Sequence, residues 1–312
     1  MATQSVSPTT SAVAVPATVR RPTLRDGLTT ALRYAINIVL FFIFVFPIVF
    51  MIMSSFKSKD AIFADMRSFR AFLPVGDLSW DNYTAVFTQS KFLVFLFNSI
   101  GISIVTIALG LLVNSLAAYA LSRLQWRGQR LVLTLIIATL IIPGEVIMIP
   151  LLLLVSRLPN LTFDQGIAIT QGWLNTYQVL IIPFITSAYA IFLFYQFFQD
   201  IPRELDEAAL VDGANRWQIY RHVILPNSQP VFATVAILTF QGSWNMFLWP
   251  IMTIQSENLR PVMVGMQYFF QQNTQWGAVM AYATLVTLPV LLLFLAFQGA
   301  FVKSIATTGL KG

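Results

Sequence analysis

The 312-residue chain contains no cysteine and a single histidine, His222. Disulfides, thiolate nucleophiles and cysteine metal sites are thereby excluded, and a histidine-based metal centre has nothing to build on. Charge is scarce as well. Lys, Arg, Asp and Glu supply 10% of the residues, against about 25% in soluble domains, while 57% are hydrophobic. This balance excludes an aqueous globular fold and implies lipid as the solvent. The net charge of +6 fits basic loops held near anionic lipid and calls for no nucleic acid. None of Lys57, Lys59, Lys91, Lys303 or Lys311 follows the glycine framework of a phosphate-binding P-loop. With one histidine and one carboxylate inside an apolar run, a catalytic constellation is hard to assemble, so the chain reads as a non-enzyme.

What is present in quantity is apolar runs, each about the length needed to cross a bilayer core, roughly 20 residues. They cover about Tyr34–Met53, Phe92–Leu121, Leu131–Val155, Gln178–Phe198, Val231–Ile254 and Ala278–Val302. Residues 1–33 read as a disordered N-terminal tail, the first nineteen of them without charge and rich in Ser, Thr, Ala, Val and Pro. Residues 34–91 hold the first span and a mixed extracytoplasmic loop, 92–302 a core of five further spans, and 303–312 a short tail. Six spans put both termini on one side. With the N-terminus in the cytoplasm, the outward segments keep Lys57, Lys59, Arg67, Arg70, Lys91, Arg157 and Arg260. The remaining basic residues lie inside, as the positive-inside rule requires.

Between the fourth and fifth spans lies a polar island, residues 200–226, in a chain otherwise short of charge. It gathers Glu204, Asp206, Glu207 and Asp212 with Arg203, Arg216 and Arg221. Its local grammar predicts two short helices with a break. Asp200 is placed to cap the first and Pro202 to occupy its opening turn. Gly213 suits the left-handed position that closes that helix, Asn215 caps the next, and Pro226 stops it.

The island resembles the cytoplasmic EAA loop of binding-protein-dependent ABC importer permeases, whose pattern is E-A-A, three residues, G, nine residues, then I-x-L-P. Here Glu207-Ala208-Ala209 is followed by Gly213 and then by Val223-Ile224-Leu225-Pro226, with valine replacing isoleucine. Further stretches are similar to the carbohydrate branch, specifically the second permease subunit of maltose-type importers. They are Leu174-Asn-Thr-Tyr177, Trp244-Asn-Met-Phe-Leu-Trp-Pro250, Thr287-Leu-Pro-Val290, Gln298 and Lys311-Gly312. The tail Ser304-Ile-Ala-Thr-Thr-Gly-Leu310 departs from that branch, and the loop at 157–172 is longer than usual.

The resemblance implies an all-α membrane protein with six transmembrane helices, the type I ABC importer permease fold, both termini in the cytoplasm and a place in the bacterial inner membrane. It implies a second homologous permease subunit, two copies of an ABC ATPase, an extracytoplasmic substrate-binding protein and surrounding lipid as partners. No cofactor is expected on this chain; ATP and Mg²⁺ are used by the ATPase subunits. Glu207, Ala208, Ala209, Gly213, Leu225 and Pro226 are the implied ATPase-coupling residues, with Glu207 in contact, the alanines allowing close approach and Gly213 setting the bend. The substrate that the resemblance implies is a di- or oligosaccharide or related polyol.

The residues themselves suggest a path. Glu145 is the one charged group inside an apolar run, and such groups are functional candidates by default. In a straight third span it lies about 20 Å along the helix; if Pro143 and Pro150 bend the span, it faces water near the outer interface. Gln241, Ser243, Trp244 and Asn245 combine amides with an aromatic face, the chemistry that binds sugars, and equally the chemistry that joins membrane helices. Trp173, Tyr177, Trp249 and Trp276 sit near span ends as an aromatic belt, and the loop Asn258–Gln275 faces the binding protein. The rival reading is a self-contained secondary transporter, for which one intramembrane carboxylate offers little ion coupling.

Overall fold

The computed structural model describes residues 24–162, 168–270 and 274–309. Two units divide the chain at Val49. In the first, the described residues form the helical stretch that opens at Leu24 and belongs to α1 (Leu24–Ser54). Helix therefore occupies residues 24–33, the end of the stretch expected to be a disordered tail. Arg25, Leu28, Ala31, Leu32 and Arg33 are good helix formers, and they carry the first span's hydrogen-bond ladder onward.

In the second unit, α2 (Lys59–Asp65) and α3 (Asp81–Gln89) precede α4 (Phe92–Ser122), the helix on which the unit is built. Next come α5 (Gln129–Thr139), α6 (Gly144–Val155), β1 (Pro159–Thr162), β2 (Ala168–Gln171), α7 (Tyr177–Ile181) and α8 (Ala188–Asp200). The chain continues through α9 (Glu204–Val211), α10 (Arg216–Ile219), α11 (Leu225–Asn227), α12 (Gln229–Trp244), α13 (Leu248–Thr253), α14 (Val262–Gly265) and α15 (Trp276–Gly309).

Among the described residues, four helical stretches are long and apolar enough to cross a bilayer: Thr29–Ser54, Phe92–Ser122, Tyr177–Asp200 and Trp276–Ala296. Two bent pairs raise the number to six if each counts as one span. In α5 with α6 the bend is 104°, and in Arg216–Asn227 with α12 it is 81°. The first bend overturns the straight third span. Pro143 offers no N–H and disfavours helical backbone at Ile142; it stands as the extended N-cap of α6. Glu145 accordingly falls in the first turn of α6, where its side chain is exposed. The fifth span also differs from expectation, because its continuous helix ends at Trp244 and a break at 245–247 precedes α13. The long loop at 157–172 contains a two-stranded antiparallel hairpin with Pro159 opposite Gln171.

Three clusters surround α4. At its Arg123 end, Ala118, Tyr119 and Leu121 pack with Phe194 and Phe198 of α8, Ile219, Tyr220 and Ile224 beyond α9, and Val231 and Val235 of α12. At its Lys91 end, Phe92 and Phe95 pack with Val86, Trp244, Ala278, Ala281 and Tyr282. Midway, Ile102 meets Val155, Val179, Leu180 and Trp249. Lipid tails are as apolar as these side chains, so close packing and interhelical hydrogen bonds join the helices, each such bond worth about 0.6–2 kcal/mol. Asn114 makes two of them: beside a bond to Gly110 O of its own helix at 2.6 Å, its amide donates to Ile185 O at 2.8 Å and accepts from Ser187 N–H at 2.9 Å. It thereby satisfies the backbone groups freed by the break before α8. Trp249 is likewise a core residue rather than a belt residue. It is buried, and its indole N–H donates to Val179 O at 2.9 Å.

Candidate functional site

The polar island folds as two short helices with a break between them, and departs from its grammar at its two ends. Asp200 is the last residue of α8, and Arg203 is the N-cap of α9 without a side-chain bond. The apolar run of α8 reaches Asp200 unbroken, so the helix continues into the position assigned to a cap. The break itself follows expectation. Gly213 has φ +84°, its N–H donates to Leu210 O at 3.1 Å, and Ala214 N–H donates to Ala209 O at 2.9 Å. These two bonds define a Schellman motif with Gly213 in its left-handed position. Asn215 then caps α10 through a reciprocal box: its Oδ1 accepts from Gln218 N–H at 2.9 Å, and Gln218 Oε1 accepts from Asn215 N–H at 2.7 Å.

Beyond α10 the helix widens into a π-helical stretch, Tyr220–Ile224, in which Leu225 N–H reaches Tyr220 O. The helix passes Pro226 and ends at Asn227 rather than stopping before the proline. One extra residue in the turn relieves the clash that a proline ring makes with the preceding carbonyls. Ser228 then bonds Ile224 O at 2.6 Å, and α12 leaves at 81°.

The island presents two faces. Glu207 and Ala208 are exposed, together with Leu205, Leu210, Trp217 and Val211, the last at 88%. Ala209, Val223 and Leu225 turn inward onto the cluster at the Arg123 end of α4; Pro226 is exposed. Sequence reasoning missed the group that holds this arrangement. Arg123, in the sequence only one of the basic residues assigned to the inner side, is 8% exposed, and Asp206 is 9% exposed. The Arg123 guanidinium lies 3.3 Å from Asp206 Oδ2 and donates to Ile201 O at 2.6 Å and to Phe198 O. Burial pushes the Arg123 pKa down, and the Asp206 carboxylate opposes that shift. The available signal was one arginine directly after an apolar run whose length already matched the bilayer.

The second region is a cavity of about 750 Å³ between α4, α12 and α15, with Ile104, Ile237 and Leu293 among its apolar walls. Gln241, Trp244 and Asn245 line it, beside Ser103. Trp244 is 2% exposed, stacks on Phe240, and its indole N–H has no partner. Ser243 faces helix packing instead, donating to Ser103 Oγ at 2.9 Å. Glu145 is not among the lining residues, so the five path candidates do not form one constellation.

At the Lys91 end of α4 a polar network organises the loop after α13. Asn175, at φ +59°, accepts from Ser256 N–H at 2.7 Å and Gln255 N–H at 3.2 Å. Asn98 donates to Asn258 O at 2.7 Å and Arg260 O at 3.0 Å and accepts from Tyr177 Oη at 2.8 Å. Lys91 pairs with Glu257 at 2.9 Å, and Tyr268 donates to the same carboxylate. Those two hydrogen bonds, Tyr268 first, hold the Glu257 pKa below the usual carboxylate value; burial and then the Glu257 bond raise that of Tyr268. The loop segment Gln271–Asn273 and the terminal Lys311-Gly312 lie outside the described residues.

Comparison with known proteins agrees with this architecture. The profile of the binding-protein-dependent transport system inner membrane component matches residues 107–307. The lactose transport system permease protein of Rhizobium radiobacter is 31% identical over 282 residues, covering 90% of this chain and 96% of its own. The arabinooligosaccharides transport system permease protein of Halalkalibacterium halodurans is 30% identical, covering 87% and 92%. The trehalose/maltose transport system permease protein of Thermococcus litoralis is 29% identical, covering 86% and 91%. Among solved structures, a chain of a bacterial ABC transporter that imports the acidic polysaccharide alginate superposes with a TM-score of 0.72 at 23% identity, over 89% of this chain and 98% of that one. With 201 of 312 residues inside the matched profile, this multi-pass membrane chain belongs to the binding-protein-dependent transport system inner membrane component family of ABC permeases.

Proposed function

We propose that the chain is one of two permease subunits of an ATP-driven importer for di- or oligosaccharides or related polyols, coupled to a separate ATPase through residues 200–226. The observation that carries this reading is the two-faced island. Glu207, Ala208, Val211 and Trp217 point outward while Ala209, Val223 and Leu225 are fixed to the helix ends. A rigid, exposed helix pair of this kind moves the attached spans as levers when a partner moves it. The sugar class is supported by relatives named for lactose, arabinooligosaccharides and trehalose/maltose.

In this reading six spans cross the membrane with both termini in the cytoplasm, α5–α6 forming the third and α12 with α13 the fifth. The 16 residues of α12 extend about 24 Å, short of a core about 30 Å thick, so α13 completes the crossing. The ATPase copies bind ATP and Mg²⁺, and this chain binds neither. The loop from Ser256 to Phe270 faces the substrate-binding protein, a partner present in the alginate transporter complex. Gln241, Trp244 and Asn245 border the sugar path, Ser243 supports them, and Glu145 flanks the path's outer mouth.

The test is purification of the complex from native membranes, with Glu207→Arg beside the wild type. Co-purification of an ATPase, a second permease and a binding protein with wild type, and loss of the ATPase from the variant, supports the reading. A chain that purifies alone and transports in liposomes without ATP overturns it in favour of a secondary transporter.

A further inference from the structure

Arg123 reaches further than any other side chain at the island. It closes the α4 end, and its guanidinium touches the last turn of α8 (Phe198 O), the connection after it (Ile201 O) and the first turn of α9 (Asp206). The second half of the island is tied to the same helix by separate bonds. Tyr119 Oη donates to Arg216 O at 2.9 Å, and Ser115 Oγ and Tyr220 Oη lie 2.7 Å apart. Both short helices therefore hang from α4 within three of its turns. A helix pair that is pushed by a motor transmits the push only if it does not swivel on its connections. The first turn of α9 is joined to its neighbours by the backbone at 201–203 and by Arg123, with Arg203 Nη2 a distant 3.5 Å from Ser122 O, and further along the helix Ala209 packs on the cluster at the α4 end.

The bonding of the pair speaks against a role in stability alone. Arg123 Nε and Asp206 Oδ1 are buried and without partners, and the one ionic contact is 3.3 Å long. A buried ion pair is weak evidence for stability, and replacement of such pairs by apolar side chains is commonly neutral or stabilising. Its consequence lies in geometry: a planar, multiply bonding guanidinium fixes direction in a way an apolar contact does not.

We infer that Arg123 is a positioning residue for energy coupling, which with Asp206 locks α9 of the ATPase-docking island to the ends of α4 and α8 so that motor movement reaches the spans. The inference rests on the coupling role proposed for the island.

The experiment uses the complete importer in proteoliposomes and measures sugar imported per ATP hydrolysed. The variants are Asp206→Asn and the apolar pair Arg123→Met/Asp206→Leu, with Glu207→Arg alongside. For both clamp variants the assembled complex stays within about twofold of wild type and ATP hydrolysis persists. Sugar per ATP falls about two- to thirtyfold, the range seen for residues that tune coupling without touching a ligand. A ratio unchanged from wild type in both, with or without a lower yield of complex, overturns the inference and makes the pair merely structural. If Glu207→Arg leaves ATPase attachment and coupling intact, the island is not the motor contact, and that result refutes the underlying reading independently of Arg123.

Discussion

Gly213 offers the cleanest perturbation of the island, because steric and conformational effects separate there. A Cβ built at this position meets nothing within 4 Å, so a side chain is opposed only by the backbone angle, φ +84°. For an L-residue the left-handed conformation costs about 1–2 kcal/mol, and asparagine escapes most of that cost. Gly213→Asn is therefore expected to behave within about twofold of wild type, since asparagine also occupies the left-handed position that closes a helix. Gly213→Ala lowers the equilibrium constant for the docking-competent loop by about five- to thirtyfold, and the apparent affinity for the ATPase falls by up to the same factor. Gly213→Pro fixes φ near −65° and deletes the N–H that donates to Leu210 O, a loss of about 3 kcal/mol or more; docking is abolished. The assay is titration of purified ATPase subunit onto the permease pair in nanodiscs, read by bound fraction and by sugar-stimulated ATP hydrolysis. Alanine binding as tightly as glycine, or asparagine no better than alanine, refutes the claim that the left-handed turn presents the loop.

Tyr282→Phe removes the buried donor that bonds Val262 O at 2.7 Å; the stranded carbonyl costs about 1–3 kcal/mol, visible as a lower melting temperature of the solubilised complex. Gly265→Ala drives a methyl into the Tyr282 hydroxyl and the Phe95 ring and costs about 1–3 kcal/mol. Combined with Tyr282→Phe it costs less than the two together, because the departing hydroxyl vacates the contested space. Glu257 binds its proton less readily in the folded loop than in the unfolded chain, so its contribution is full above the ordinary glutamate pKa near ~4.3 and disappears as pH falls through the lowered value. Protection factors of residues 255–269, taken against the intrinsic exchange rate at each pH, fall on acidification in wild type and stay flat with pH in Glu257→Gln.

What was legible in the sequence follows from which forces act locally. The left-handed Gly213 and the cap at Asn215 are decided by backbone sterics and one side chain each, and both occur where the spacing put them. The apolar run from Phe92 to Leu121 became α4 almost to the residue. Failures came where a run of apolar residues says nothing about direction. The third run reads as one span by composition, yet Pro143 turns it through 104°. Trp249 has the composition of a belt residue, but its burial depends on Val179, distant in sequence. The Arg123–Asp206 contact spans 83 positions and leaves no periodicity to read. Family membership was legible for a different reason: the E-A-A to glycine interval records a local turn together with the helix that docks beside it.

The exposed apolar surface falls into two settings that require different cover. Along α4, Phe97, Leu109 and Leu112 are exposed in a stretch without a charged residue between Lys91 and Arg123, which lipid or another membrane helix covers at no electrostatic cost. On the island, Val211 and Trp217 are exposed within a few positions of Glu207, Asp212, Arg216 and Arg221. Inserting charged side chains of this kind into hydrocarbon costs about 2.5–3.5 kcal/mol each, so bilayer cannot be the cover there. Water is a poor one for an 88% exposed valine beside a half-exposed tryptophan. A protein groove with an apolar floor and a charged rim satisfies both demands, and among the proposed partners only the ATPase meets the chain on that side. Val211→Asp and Trp217→Ala should each weaken ATPase attachment while leaving the permease pair assembled, and equal attachment in both would leave this apolar surface without its proposed cover.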